Sequence, residues 1–177
     1  SSVSGSGGAW RSDSSTINFN EDMYLKDNLA SYAGGGFSVY SSQIKIAGDA
    51  FIDSNTANEY GGGFVLNSGS FDFAGEAYIT GNMSGSAGGG FYINYSRDNV
   101  FRGNTLISGN YAGYGGGAYL KDSQALFSGY TVFNSNFAAI NGGAFIADTQ
   151  SEAVFEAESF FSGNRSGMSG GAIYLLD

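Results

Sequence analysis

The sequence contains no cysteine, no proline and no histidine in 177 residues. Without cysteine there is no disulfide framework and no thiolate chemistry. That is compatible with an exported protein without requiring one. Basic residues are scarce: seven lysines and arginines stand against sixteen acids, a net charge of −9. Nucleic acid and anionic lipid are therefore poor partners, because both require a concentrated basic patch. No run of about 20 apolar residues is present, so no transmembrane segment crosses as a helix. The chain also opens without the charged, then apolar, pattern of a signal peptide. Charged residues make up only 13% of the chain while aromatics reach 16%. Such a chain is too apolar for disorder, so its 30 glycines serve a geometric purpose.

The glycines are periodic. Gly7, Gly34, Gly61, Gly88, Gly115 and Gly142 each open a glycine pair and follow one another at intervals of 27, with Gly170 coming after 28. A second marker keeps the same phase: Asn28, Asn55, Asn82, Asn110, Asn136 and Asn164 fall 21 or 22 residues after each first glycine. Repeats of this length mark a stacked architecture. The units are 7–33, 34–60, 61–87, 88–114, 115–141 and 142–169, with a partial unit 170–177, all within a single domain spanning 1–177.

Each unit holds three short segments of alternating apolar residues, the period of a strand. One follows the glycines, as in Phe64-Val65-Leu66. The second is centred on the column Phe19, Ile46, Phe73, Phe101, Phe127 and Phe155, and the third on Leu25, Ile52, Ile79, Ile107, Phe133 and Phe161. Turn-forming Ser, Gly, Asp and Asn lie between them. Glycine at this density and aromatic alternation both oppose helix, and a propeller blade needs about 40 residues. The expected fold is all-β: a parallel β-helix, or β-solenoid, with three strands per coil, six 27-residue coils and a terminal strand. At about 4.8 Å per coil the rod would be roughly 29 Å long.

Two motifs recur inside the repeat. One is Gly142-Gly143-Ala144-Phe145 and Gly170-Gly171-Ala172-Ile173; the other is Phe133-Asn134-Ser135-Asn136 and Phe161-Ser162-Gly163-Asn164. The second relaxes to an isoleucine form ending at Asn55, Asn82 and Asn110, and to a leucine form ending at Asn28. Together they resemble the GGA[ILV] and FxxN repeats of the chlamydial polymorphic membrane proteins. The resemblance implies a right-handed β-helix displayed on a cell surface, with adhesion as its role. The chain carries no C-terminal membrane barrel, so in such a protein it would be part of a longer passenger.

Several columns are candidates for function. The asparagine column is expected to form a side-chain ladder, since Asn tolerates the left-handed region and bonds local amides. Tyr24, Phe51, Tyr78, Leu106, Val132 and Phe160 lie one position before the third inward column. Alternation would turn them outward as a continuous contact stripe; an early turn of the strand would bury them instead, and both readings stay open. Tyr92, Tyr119 and Tyr174 form a similar outward series after the glycines. Asp22, Asp49 and Glu76, with Glu158 further on, share one column, where like charges about 4.8 Å apart could recruit Ca²⁺. A solvated turn is the favoured reading, because no DxDxDG-type loop accompanies them, and no cofactor is expected. Of three N-x-[ST] sequons, at Asn82, Asn94 and Asn164, only Asn94 lies off the ladder and is a candidate for glycosylation.

Catalysis is not expected. A carbohydrate-cleaving β-helix needs a carboxylate cluster in a groove, and here coil lengths vary by single residues only. There are one-residue insertions near Ser96–Asp98 and near Gln150–Glu152, and a one-residue deletion after Asn110. No long loop walls a cleft, and no histidine or cysteine is left to serve as base or nucleophile. Ice binding would want a flat array of threonines, which the outward positions do not supply. A non-enzymatic structural or adhesive module is expected, with carbohydrate binding or cleavage as the alternative. Its partners would be a host or cell-surface protein, a glycan, or other copies of itself stacked end to end as a filament, since no polar cap covers either end.

Overall fold

A computed structural model describes residues 2–3, 5–148 and 150–176. Ser1, Ser4, Thr149 and Asp177, which fall within the expected domain, lie outside the described residues. The chain winds as a β-solenoid in which every strand pairs in parallel with the strand one coil away. Four sheets run along the rod. The first is seven-stranded and follows the glycines, from Trp10–Asp13 through Phe64–Asn67 to Ile173–Leu175. The second and third are six-stranded, running from Thr16–Phe19 to Glu152–Phe155 and from Met23–Lys26 to Ser159–Ser162. These are the three strands per coil expected from the pattern. A fourth sheet of seven short strands follows the asparagines, from Ser2–Val3 through Thr56–Ala57 to Arg165–Ser166.

Alternation along each strand sends one set of side chains inward. Phe64, Phe73, Phe91, Phe101, Phe127 and Phe133 are fully buried there, with Ile46, Ile52 and Ile79. Because register is kept, like sits on like. Phe37, Phe64 and Phe91 stack with centroids 4.8 and 5.1 Å apart, and Phe101, Phe127 and Phe155 stack at 4.8 and 4.9 Å. Offset or stacked pairs of this kind add about 0.5–1.5 kcal/mol each beyond the apolar area they bury.

The corners explain the glycines. The first glycine of each pair is left-handed, as at Gly34 with φ 66°. The second has ordinary dihedrals but no room: a Cβ on Gly62 would lie 2.3 Å from the carbonyl oxygen of Gly89 and 2.5 Å from the backbone of Met83. Two further corners are also left-handed. One is formed by Ser14, Ser41, Ser68, Tyr95, Asp122 and Gln150, the other by Asp27, Ser54, Gly81, Gly109, Ser135 and Gly163. The deletion after Asn110 is absorbed in the fourth sheet, where the pairing of Tyr111–Tyr114 with Phe137–Asn141 shifts register after Ala112.

Candidate functional site

The asparagine column lies at the turn between the third and fourth sheets, one residue after a left-handed corner. Each asparagine Oδ1 accepts from both the backbone N–H and the side-chain Nδ2 of the asparagine one coil earlier. Asn55 thus donates to Asn82 at 2.9 and 3.1 Å, and Asn82 to Asn110 at 2.8 and 3.1 Å. The Nδ2 of Asn82 also donates to the Ile52 carbonyl at 2.9 Å, and the pattern continues from Asn28 to Asn164. The column is structural, since the buried amides satisfy one another and the turn.

A second ladder was not anticipated. Ser42, Ser96, Ser123 and Ser151 follow the first left-handed corner. Their hydroxyls accept from the amides of Ser15, Gly69, Ser96 and Ser123 at 3.0–3.2 Å and donate back to the carbonyls of Tyr40, Asn94, Lys121 and Asp148. Ser96, Ser123 and Ser151 are spaced by 27 and 28 residues, but Gly69 interrupts the column after Ser42 and serine at a turn reads as a generic turn former.

The acidic column has the same logic with reversed polarity. Asp22 accepts from the Asp49 amide at 2.9 Å, Asp49 from the Glu76 amide at 2.8 Å, and Asn104 from the Tyr130 amide at 3.1 Å. The Asn104 amide group donates to Glu76 at 3.2 Å. Glu158 is exposed in the same column. Among the described residues no group of three or more acidic, histidine or cysteine side chains gathers as a cation site would require.

The stripe faces outward along the third sheet. Its six residues pair in continuous register from Tyr24 to Phe160. Tyr24 is 67% exposed and Phe160 48%, while the four between them are half-buried by their neighbours. Tyr24, Phe51 and Tyr78 stack at 4.7 and 4.9 Å with their planes within 4° of parallel. The stack covers both faces of Phe51 and one face each of Tyr24 and Tyr78, so along its length mainly ring edges point to solvent. A polar column runs alongside, in which Lys26 contacts Asp53 at 3.0 Å and Thr80 donates to Asp53 at 2.8 Å.

The outward series after the glycines departs from expectation. In the same register Ser38, Val65 and Ile146 are buried, and Tyr92, Tyr119 and Tyr174 are half-buried. The glycine turn folds back over this column: a Cβ on Gly61 would lie 2.5 Å from Val65, and the Tyr60 ring rests 4.9 Å from that of Tyr92. Burial, followed by the nearby Tyr60 and Asp148, pushes the Tyr92 phenol up to about 12. Burial and the hydrogen bond to Asp148 push Tyr119 the same way. An unfolded tyrosine ionises near 10, so above that pH the unfolded chain sheds protons that the native chain retains. This contribution to stability is complete below pH ~10 and is lost as pH rises toward ~12. In an alkaline titration followed by phenolate absorbance, a late class of tyrosines should ionise only as the β signal collapses. Substituting phenylalanine at both positions should remove that class.

Asn94 ends a first-sheet strand, and its Oδ1 is buried with no hydrogen-bond partner among the described residues. The sequon hydroxyl of Ser96 is occupied within the serine ladder. Asn82 is fully buried in the asparagine ladder.

A cleft of about 610 Å³ lies at the corner between the first and second sheets. Its floor follows the left-handed column through Ser41, Ser68, Tyr95, Asp122 and Gln150. Both one-residue insertions fall at this corner. First-sheet pairing keeps an offset of 27, from Asn67 to Asn94 and from Lys121 to Asp148. The next second-sheet strands pair at 28, from Asp72 to Val100 and from Gln124 to Glu152. A cleft thus forms without the long loop that a groove was expected to need, because single added residues widen one corner.

Residues 158–175 match the family profile of the Chlamydia polymorphic membrane protein repeat. The matched stretch includes Phe161–Asn164 and Gly170–Ile173, the residues that carried the resemblance, and the β-solenoid agrees with it. No curated protein and no solved structure matches the chain.

Proposed function

We propose that this chain is a non-enzymatic structural and adhesive rod, extracellular or displayed at a cell surface, which binds a protein partner along the stripe of the third sheet. The observation that carries this reading is the outward column from Tyr24 to Phe160, held in one register over six strands. Outward positions of a solenoid do not pack the core, and a continuous apolar line on a surface is a feature of contact sites. The stacked rings show mainly edges, which suits the side chains of a protein better than the flat C–H face of a sugar. Asp53 and Lys26 beside the stripe supply the polar rim that protein interfaces use. The match to the polymorphic membrane protein repeat supports surface display.

The test replaces Tyr24, Phe51 and Tyr78 together with serine. Because all three side chains point away from the core, the far-ultraviolet spectrum should stay that of the parent, while loss of the two ring stacks should lower the unfolding midpoint without unfolding the rod. Binding of the labelled protein to cultured cells, read by flow cytometry, should fall about tenfold or more, as expected when an aromatic anchor is lost. Undiminished binding by a folded triple variant would overturn the assignment.

A further inference from the structure

We propose that the cleft at the first left-handed corner is a binding site for a neutral oligosaccharide, gripped by Tyr95, Arg97, Asp98, Asp122, Gln43 and Gln150. It stands apart from the stripe and does not depend on it.

Three observations converge. The first is the placement of Tyr95. It occupies a left-handed corner with φ 47°, where the other corner residues are serine, aspartate or glutamine, and it is 60% exposed. A bulky side chain in this region is strained, and this one gains no burial in return. Among the described residues its ring stacks on no other ring, which leaves a face open. Strain without a packing return is a feature of functional positions.

The second is the state of the polar groups. Three cations outside the cleft are paired: Arg102 with Asp72 at 2.7 and 3.0 Å, Arg11 with Asp13 at 2.9 and 3.1 Å, and Lys26 with Asp53 at 3.0 Å. Lining the cleft, the Arg97 guanidinium, the Asp98 and Asp122 carboxylates, the Gln43 and Gln150 amides and the Tyr95 hydroxyl make no side-chain hydrogen bond or ion pair within the described protein. The third is that both one-residue insertions of the solenoid fall at this corner and contribute lining residues.

The chemistry selects the ligand. A free aromatic face beside separate donors, acceptors and amides that do both matches a sugar, which offers an apolar C–H face and hydroxyls that donate and accept. An apolar ligand would leave these groups unsatisfied. An acidic polymer is opposed by two carboxylates against one guanidinium and by a net charge of −9. A peptide strand finds little edge to join, because the strands at this corner are paired with the coils on either side, except Glu152–Phe155 at the end of its sheet. Five coils line the corner, about 19 Å at the strand spacing, which suits a short oligosaccharide.

The protein should be titrated calorimetrically with neutral hexasaccharides of glucose, mannose and N-acetylglucosamine in both linkages, with sialyllactose, a hyaluronan hexasaccharide and an unrelated peptide as controls. At least one neutral sugar should bind and the controls should not. Tyr95→Gly removes the ring and relieves the left-handed strain, so it should unfold no earlier than the parent yet bind about tenfold more weakly. Arg97→Ala, at an exposed position without an internal partner, should also weaken binding, while the triple serine variant of the stripe should bind as the parent does. The assignment fails if no neutral sugar binds, if only an acidic sugar or the peptide does, or if Tyr95→Gly and Arg97→Ala bind like the parent.

Discussion

Gly62→Ala should cost at least about 3 kcal/mol, the upper end of what overpacking does to a core. The added methyl would sit 2.3 Å from the Gly89 carbonyl oxygen and 2.5 Å from both the nitrogen and the carbonyl carbon of Met83. The Gly89 oxygen belongs to the backbone of the next coil and the Met83 atoms to the backbone of the same coil, so no rotamer change relieves the contact and the third and fourth coils must separate. The amide of Gly62 donates to Gly88 at 3.1 Å and that of Gly63 to Gly90 at 2.9 Å, and separation stretches both bonds. In a solenoid each coil touches only its neighbours, so the damage stays at one interface and divides the rod. Guanidinium denaturation followed by circular dichroism should show a lowered midpoint and a transition that broadens or splits. Gly81→Ser is the matched comparison. Gly81 is left-handed at φ 60°, but a Cβ there meets nothing nearer than 3.5 Å, and Ser54 and Ser135 already occupy its column. Its cost should stay near 1 kcal/mol. Equal losses for the two variants would show that the coils accommodate a Cβ at Gly62 and that close approach is not what requires the second glycine.

That comparison also shows what could be read from the sequence. Period, phase and inward columns are properties of spacing, and stacking preserves spacing, so the three long strands and the asparagine column were legible. The fourth strand was not, because Leu29–Ala30 or Thr56–Ala57 is too short to display alternation. The reading of the acids counted like charges and missed the backbone: Asp22 and Asp49 hold the amides of the following coil, a partner no column of letters displays. The series at Tyr92 and Tyr119 faces outward from its sheet, yet the glycine turn covers it, since alternation predicts a direction and not what lies beyond it. For the stripe, alternation held to the end of the strand, and the outward reading is the one realised. The cleft was hidden because its cause is an offset of one residue. Single insertions at Arg97–Asp98 and before Glu152 look trivial in a 27-residue repeat, but they fall at one corner and their effects combine there.

The asparagine ladder gives the other large expected effect. Asn82 is fully buried, and its side chain takes part in four hydrogen bonds: two received from Asn55, one given to Ile52 and one given to Asn110. In Asn82→Ala the Nδ2 of Asn55 keeps its bond to Leu25 and Oδ1 of Asn110 keeps the Asn82 amide, but the Asn55 amide loses the acceptor shown here. One orphaned buried donor costs about 1–3 kcal/mol and each further lost bond about 1, so a loss of roughly 3–5 kcal/mol is expected in urea denaturation. Asn28→Ala, at the half-buried start of the ladder where water reaches, should cost about 1 kcal/mol. Asn82→Asp separates the two functions of the amide. The carboxylate can still accept from Asn55 but cannot donate to Ile52, and it places charge against the Asn110 oxygen. Burial and the facing Ile52 and Asn110 oxygens outweigh the Asn55 donors and raise its folded pKa above the unfolded ~3.9, so the unfolded chain gives up the proton first. Stability of this variant should therefore be greatest below about pH 4 and fall as pH rises, opposite in slope to a paired carboxylate. A pH-independent loss equal to that of Asn82→Ala would mean that water enters the turn and that the ladder is less closed than its bonds imply.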